Sequence, residues 1–424
     1  MLEPASVFIG PYVQTWHEDD ESRLLAAFTD ADFQVHVVKR SEFYSRPGVT
    51  PRREEGATDE VQVRRYEAKA RDVADRLDLL GFDLKSSLDI WERNVLAHAD
   101  RLSPKGEGDE VEALRMLDGP RWLSILSQMA DDAPMVFSNS TSSRNSLPGS
   151  PKWLIGLAGF AFDPLREMRL AVAAFPEAQV ITDVTGSGWA WVGEGDGSHA
   201  SAKLNDLRRD GSLFSPIVVL TEGRTDAEFL AAGLSILYPH VVDLIKFLDF
   251  EQKNDGGAGA LVRLVKSFAA AGIANRTVAI FDNDSAAADA LRSLDLRRLP
   301  PTIRVLRYPD ISLAESYPTI GPPSLEHPGG GTFLANVNGL AGSIELYLGR
   351  DVLSDDDGAL MPVQWSSLIS AVGSYQGEVV NKVDVHRRFR EKAAAAVKNP
   401  SIAAKQDWSG VRNVLRKITG AFVL

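Results

Sequence analysis

The chain has 424 residues, enough at roughly 150 residues per domain for two or three domains with cores of their own. Apolar residues make up 44% and charged residues 25%, ordinary usage that excludes a largely disordered or fibrous chain. The 58 Asp and Glu outweigh 46 Lys and Arg for a net charge of -12, which excludes a general basic coat for gripping nucleic acid but leaves room for a local site where cations bridge carboxylates to phosphate.

Residues up to about 40 read as two short strands, Val7 to Val13 and Phe33 to Val38, with a helix from near Ser22 between them. The polar stretch Ser41 to Glu60, with two prolines, reads as a loop. From Val63 the apolar positions Tyr66, Ala70, Val73, Leu77 and Leu80 follow the rhythm of an amphipathic helix that stops at Gly81. Further helices are expected at 84–98, 110–117 and 120–130. Ser138 to Ser150 is a Ser, Asn and Gly stretch with no periodic face and reads as a linker. A helix after Asp163-Pro164, strands at 178–183 and 188–192, and a Gly-rich turn from Gly193 to Gly197 follow.

From Pro216 the pattern changes. Continuous apolar runs alternate with helices: Ile217–Leu220, helix 225–236, Val241–Phe250, helix 257–273, Thr277–Phe281, helix 285–295 and Ile303–Tyr308. Strands apolar on both faces and joined by helices are the mark of a covered parallel sheet. A Pro/Gly-rich loop from Tyr317 to Gly331 precedes a short helix carrying Glu345. The end reads as helical and reverses the charge, with ten Lys or Arg against four Asp or Glu from Gln376 to Leu424.

The expected organisation is therefore an α+β domain over 1–137, the linker 138–150, an α/β connector over 151–212, an α/β domain over 213–350 and a helical basic region over 351–424. Cysteine is absent, which removes disulfides, thiolate catalysis and Cys-based zinc sites and fits a reducing cytoplasm. Met1-Leu2-Glu3-Pro4 does not read as a signal peptide, and the apolar stretch Trp153 to Phe162 is far short of the ~20 residues of a membrane span. A soluble cytoplasmic protein with no membrane partner is expected.

In a parallel sheet every strand ends on the same edge, so carboxylates just past different strands converge. Three groups stand there: Glu222 and Asp226 after Ile217–Leu220, Asp282 and Asp284 after Thr277–Phe281, and Glu345. Hard divalent cations need several oxygen ligands, and two such ions about 4 Å apart can activate water and stabilise the leaving oxygen of a phosphodiester. Arg224 is placed to neutralise charge on the phosphoryl group. The plainer reading is helix capping, with Thr225 and Glu228 as a capping box and Asp284 as the start of a helix.

Ile217-Val-Val-Leu-Thr-Glu222-Gly-Arg-Thr-Asp226 and Val278-Ala-Ile-Phe-Asp282-Asn-Asp284 resemble the two motifs of the Toprim domain, shared by topoisomerases, bacterial primases and OLD-type nucleases. Tyr66 through Arg76-Leu77-Asp78-Leu79-Leu80-Gly81-Phe82, Asp249-Phe250, Gly256-Gly257, Tyr317-Pro318-Thr319-Ile320-Gly321-Pro322 and Asn338 through Glu345 are similar to the HEPN/Toprim-associated family of bacterial proteins. The resemblance implies a Toprim-type, Rossmann-like fold that uses Mg2+ or Mn2+. Glu222 would be a metal ligand and general acid or base, Asp226 a supporting ligand, and Asp282 and Asp284 metal ligands. Glu345 stands where OLD-type nucleases carry an additional acidic residue. Ala286 departs from the Gly often found two positions after Asp-x-Asp. No strand-passage tyrosine scaffold or Cys-based zinc domain is evident, so the expectation is a nuclease, on DNA before RNA, in prokaryotic defence against phage or mobile DNA, with room for a protein partner.

Arg93-Asn94-Val95-Leu96-Ala97-His98 matches the Arg-Asn-x-x-x-His motif of HEPN ribonucleases. There His would act as acid or base and Arg on the phosphate, with the RNA 2′-OH as nucleophile and no metal; a solvated helix face is the alternative. A non-catalytic nucleic-acid sensor is the third reading. Arg387, Arg388 and Arg390 in the basic tail are candidate phosphate contacts, again against a solvated helix face. Gly256-Gly257-Ala258-Gly259 reads as a tight strand-to-helix turn, Trp189 and Trp191 as packing residues, and His386 and the other histidines outside the Arg-Asn-x-x-x-His motif as structural or exposed.

Overall fold

The computed structural model describes residues 6–15, 23–44, 59–103, 108–130, 135–136, 146–158, 163–185, 199–210, 214–248, 256–321 and 331–423. The chain divides into two compact units, one up to Phe214 and one from Ser215 to Phe422. Among the described residues no helix is long and apolar enough to cross a membrane. Strand 188–192, the Gly193 to Gly197 turn, Trp189, Trp191 and linker positions 138–145 lie outside the described residues.

The first unit is built on a mostly antiparallel six-stranded sheet. Its strands are β1 (Ser6–Ile9), β2 (Tyr12–Thr15), β3 (Phe33–Lys39), β4 (Glu60–Lys69), β5 (Met135–Val136) and β6 (Gln179–Asp183), in the order β3-β4-β6-β1-β2-β5. The run 7–13, expected as one strand, turns back on itself at Gly10, whose φ of 58° an L side chain rarely adopts, and forms the β1–β2 hairpin. Residues 23–25 are helical. The helix expected from Val63 begins only at Ala70 and runs to Leu79. Before it, Val61 and Val63 are β-branched, and the stretch pairs with β3 and β6, burying Val63 and Tyr66. Gly81 follows the helix in a left-handed conformation at φ 89°.

Helices Leu84–Leu102, Gly108–Arg115 and Gly119–Ser127 stand close to expectation, the first and third capped by Asp83 and Asp118. The 151–212 segment supplies helices Pro151–Ala158 and Pro164–Ala174, and also β6, which pairs with both β1 and β4.

The second unit is α/β. Strands β7 (Ile217–Leu220), β8 (Ile245–Phe247), β9 (Thr277–Phe281) and β11 (Ile303–Arg307) form a parallel sheet in the order β11-β9-β7-β8, while β10 (Asn283–Asp284) pairs with β14 (Ala341–Gly342). β9 is buried at every position, as its unbroken apolar run requires. Leu220, Ala279 and Phe281 pack with Leu261 and Val265 of helix Ala258–Ala271. β8 begins later than the expected Val241 because Pro239 opens a 3-10 turn over Pro239–Leu244, while the expected end at 249–250 lies outside the described residues.

The region 351–424 is not wholly helical. Strands β15 (Val363–Ile369) and β16 (Ser374–Val379) form a hairpin that joins β12 (Tyr317–Ile320) and β13 (Thr332–Ala335) in a sheet ordered β13-β12-β15-β16. β12 opens the stretch expected as loop and β13 follows directly after it; residues 322–330 between them lie outside the described residues. After the hairpin come helices Lys382–Lys398 and Ser409–Thr419. Both lie against helix Arg224–Leu237: Phe389 packs its ring 4.7 Å from Phe229, and Gly233 leaves no room for a Cβ, which would sit 2.4 Å from Val411.

Candidate active site

β7 and β9 are adjacent and parallel, so Glu222 and Asp282 leave the same sheet edge side by side. The main-chain N–H of Asp282 donates to Glu222 Oε1 at 2.9 Å, tying the two motifs together. The Gly256–Gly257 turn closes behind Glu222: the Gly257 N–H donates to the Glu222 carbonyl at 2.9 Å, and Gly257 holds a φ of 95°.

The helix after Glu222 begins at Arg224, one position earlier than the sequence reading places it. The Gly223 N–H donates to Asp226 Oδ2 at 2.8 Å, so Asp226 supplies the cap in place of the Thr225 and Glu228 pair. Glu228 instead faces Arg390 at 2.7 Å. Asp284 caps helix Ser285–Leu291, its Oδ1 accepting from the Ala287 N–H at 2.7 Å. Glu345 stands in a one-turn 3-10 helix, Ile344–Tyr347, and is 4% exposed.

These carboxylates stand close enough to shift one another's titration. Burial, with the charges of Asp284 and Asp226, pushes Glu222 up to about 7 against the opposing Asp282 amide and Arg307. Burial and Glu345 push Asp226 up to about 7, although the Gly223 amide, Lys382 and His386 pull it down. Burial and then the charges of Asp226, Glu222, Asp284 and Glu345 hold Asp282 well above the carboxylate range. Burial first, then Asp226, Asp282, Glu222 and Tyr347, raises the Tyr308 phenol. Glu345 goes the other way: burial alone would raise it, but hydrogen bonds from His386 and Ser343 and the nearby Lys382 hold it at about 2.

Sequence reading missed His386, Lys382, Arg307 and Gln376 as part of this pocket. His386 Nε2 lies 2.8 Å from Glu345 Oε1, and Ser343 Oγ donates to Glu345 Oε2 at 2.6 Å. Arg307 Nη2 donates to the Asp284 carbonyl at 2.9 Å. Gln376 Nε2 donates to Asp284 Oδ2 at 2.6 Å. Arg307 ends β11, the same sheet edge that places Asp282, and was within reach of a sequence argument; the others come from the hairpin and helix that follow it.

The donor set suits a hard divalent cation: carboxylate oxygens only, on separate elements, in a pocket that disfavours their bare charges. Among the described residues, no group of three or more His, Cys, Asp or Glu side chains is placed so that it could hold a metal ion as it stands. Asp226, Asp284 and Glu345 each turn an oxygen to a protein donor. Asp282 differs, because its buried Oδ1 has no hydrogen-bond partner. A buried acceptor facing four other carboxylates without a donor is the atom a cation would satisfy.

The remaining candidates lie elsewhere. Arg224 is exposed beside Glu222. Arg387 pairs with Asp384 and Glu391, Arg388 with Asp384 and Asp356, and Arg390 with Glu228 over the Phe229 ring. Arg93, Asn94 and His98 belong to the first unit, on helix Leu84–Leu102; Arg93 is exposed, with Nε donating to the Asp89 carbonyl at 3.2 Å, and Asn94 and His98 are half-buried.

Comparison of the chain with protein-family models, with curated proteins and with solved structures gives no match.

Proposed function

We propose that the protein is a Toprim-type nuclease that hydrolyses nucleic-acid phosphodiester bonds with Mg2+ or Mn2+, acting on DNA before RNA, in prokaryotic defence against phage or mobile DNA. The observation that carries the reading is the buried, unpartnered Asp282 Oδ1 at the edge of a parallel sheet, surrounded by Glu222, Asp226, Asp284 and Glu345. The resemblance of the two motifs to Toprim sequences supports the same assignment.

Asp282, Glu222 and Asp284 would hold the cation, with Asp226 and Glu345 behind them. When bound, the cation supplies Lewis acidity to the phosphoryl group and to water. Glu222 keeps Oε1 on the Asp282 amide, which makes Oε2 the oxygen to take a proton from attacking water. Lys382, half-buried and drawn up by Glu345, Glu378 and Asp282 although burial opposes it, keeps a positive charge at the pocket. Arg224, exposed two residues after Glu222, would meet the phosphate backbone.

The test is cleavage of DNA in Mg2+ or Mn2+ by the purified protein. Cleavage stopped by EDTA and lowered at least 100-fold by Glu222→Gln is expected. Cleavage that persists in EDTA would overturn the assignment.

A further inference from the structure

The second unit carries a β-hairpin, β15–β16, that a bare sheet-and-helix domain does not need, and its edge strand is locked onto the start of the Asp284 helix at three consecutive points. Ser285 Oγ donates to the Tyr375 carbonyl at 2.9 Å and lies 3.0 Å from Ser374 Oγ. The Gln376 side chain spans two groups at once: Nε2 donates to Asp284 Oδ2 at 2.6 Å, while Oε1 accepts from the Ala286 N–H at 3.0 Å. The Gly377 N–H donates to the Leu340 carbonyl at 3.2 Å, just before β14, whose Ala341 pairs with Asp284 itself.

Gly377 is what permits this approach. A Cβ there would sit 2.6 Å from Val363 Cγ1 and 2.8 Å from Ala341 Cβ, so any side chain would lift β16 off the β10–β14 pair.

We infer that Gln376 is a positioning residue for Asp284: its amide fixes the carboxylate that the Ala287 N–H holds from the other side, so that the pair Asp282 and Asp284 meets a cation already oriented. Asp284 then has one oxygen on a helix N–H and the other on a neutral side-chain donor. A neutral amide suits this place, since it orients a carboxylate without cancelling its charge, where a Lys or Arg would compete with the cation. The Ala286 N–H, on the other end of the same amide, fixes which way the Gln376 side chain is turned.

This inference rests on the metal-dependent reading above, and the experiment separates the two. Mn2+ binding is titrated by calorimetry without nucleic acid for the wild type, Gln376→Met, Gln376→Glu and Asp282→Ala, with DNA cleavage measured in parallel. Gln376→Met keeps the length and loses both hydrogen bonds, and is expected to weaken Mn2+ binding about 10- to 100-fold, the range for lost outer-shell partners. Its KM for DNA stays unchanged, its unfolding midpoint in EDTA stays within a few degrees of wild type, and raised Mn2+ restores much of kcat. A merely structural role would lower the midpoint and leave the Mn2+ affinity of the folded fraction intact. Gln376→Glu keeps the contact to Ala286 but sets a carboxylate against Asp284, and is not expected to rescue. Wild-type Mn2+ affinity in Gln376→Met, with Asp282→Ala inactive, would overturn the positioning role alone. Absence of Mn2+ binding by the wild type, or full cleavage by Asp282→Ala, would overturn the metal-dependent reading and this inference with it.

Discussion

Asp226→Asn should make the metal-free protein more stable and inactive at once. Asp226 is 7% exposed, and its carboxyl is moved from the ordinary 3.8 to about 7 by burial first and then by Glu345. A carboxyl raised on folding binds its proton more tightly folded than unfolded. Its contribution is therefore fully present below about pH 4 and is lost as pH rises through about 7. A shift of about three units, at about 1.4 kcal/mol each, sets an upper limit of about 4 kcal/mol lost by pH 8. Glu222 and Asp282 share that repulsion, so about 2 kcal/mol is the expected gain from neutralising Asp226 alone. The asparagine keeps an acceptor for the Gly223 N–H, so the helix start survives. Thermal denaturation in EDTA at pH 5 and pH 8 measures this: the advantage of Asp226→Asn over wild type should grow with pH, with an unfolding midpoint some 4–8 °C higher at pH 8. A variant that is no more stable than wild type at pH 8, or an advantage that does not change with pH, would refute the shared acidic pocket.

Other outcomes follow from the same geometry. His386→Ala removes a hydrogen-bond partner of the buried Glu345 carboxylate and should cost about 1–3 kcal/mol by urea denaturation at pH 7. Gly342→Ala would place a Cβ 2.5 Å from the Asn283 carbonyl oxygen, forcing β14 from β10; a loss of about 1–3 kcal/mol and lower cleavage by the folded protein are expected. Glu228→Gln breaks the ion pair with Arg390, exposed on both sides, and should change stability by less than about 1 kcal/mol, although the pair looks well formed at 2.7 Å.

The strands that carry the site were readable because their signal is local. Ile217–Leu220 and Thr277–Phe281 are unbroken apolar runs, buried as the inner strands of the parallel sheet, and their ends place Glu222 and Asp282 without further information. Where two periodicities abut, the reading failed: Val63 and Tyr66 fit a helical spacing with Ala70, Val73 and Leu77, yet belong to a strand that ends at Lys69. What decides that boundary is pairing with β3 and β6, and β6 comes from more than a hundred residues downstream. The pocket's outer members were hidden for the same reason. Gln376 and His386 lie more than ninety residues beyond Asp282, in a stretch whose basic composition suggested a surface tail. The packing of Phe389 on Phe229 and the close seat of Gly377 help to bring them to the carboxylates. Arg387, Arg388 and Arg390 each pair with acidic side chains of this chain, partners that charge counting does not show.

The central claim is that Asp282 anchors a cation on which phosphodiester cleavage depends. The most direct measurement is cleavage of end-labelled single- and double-stranded DNA and RNA in Mg2+, Mn2+ or EDTA, comparing wild type with Asp282→Ala. Metal-dependent cleavage by the wild type, abolished in Asp282→Ala while the variant remains folded by circular dichroism, is the predicted result. Unchanged turnover by Asp282→Ala, or cleavage of RNA alone that persists in EDTA, would contradict it, and the latter would move the chemistry to Arg93 and His98.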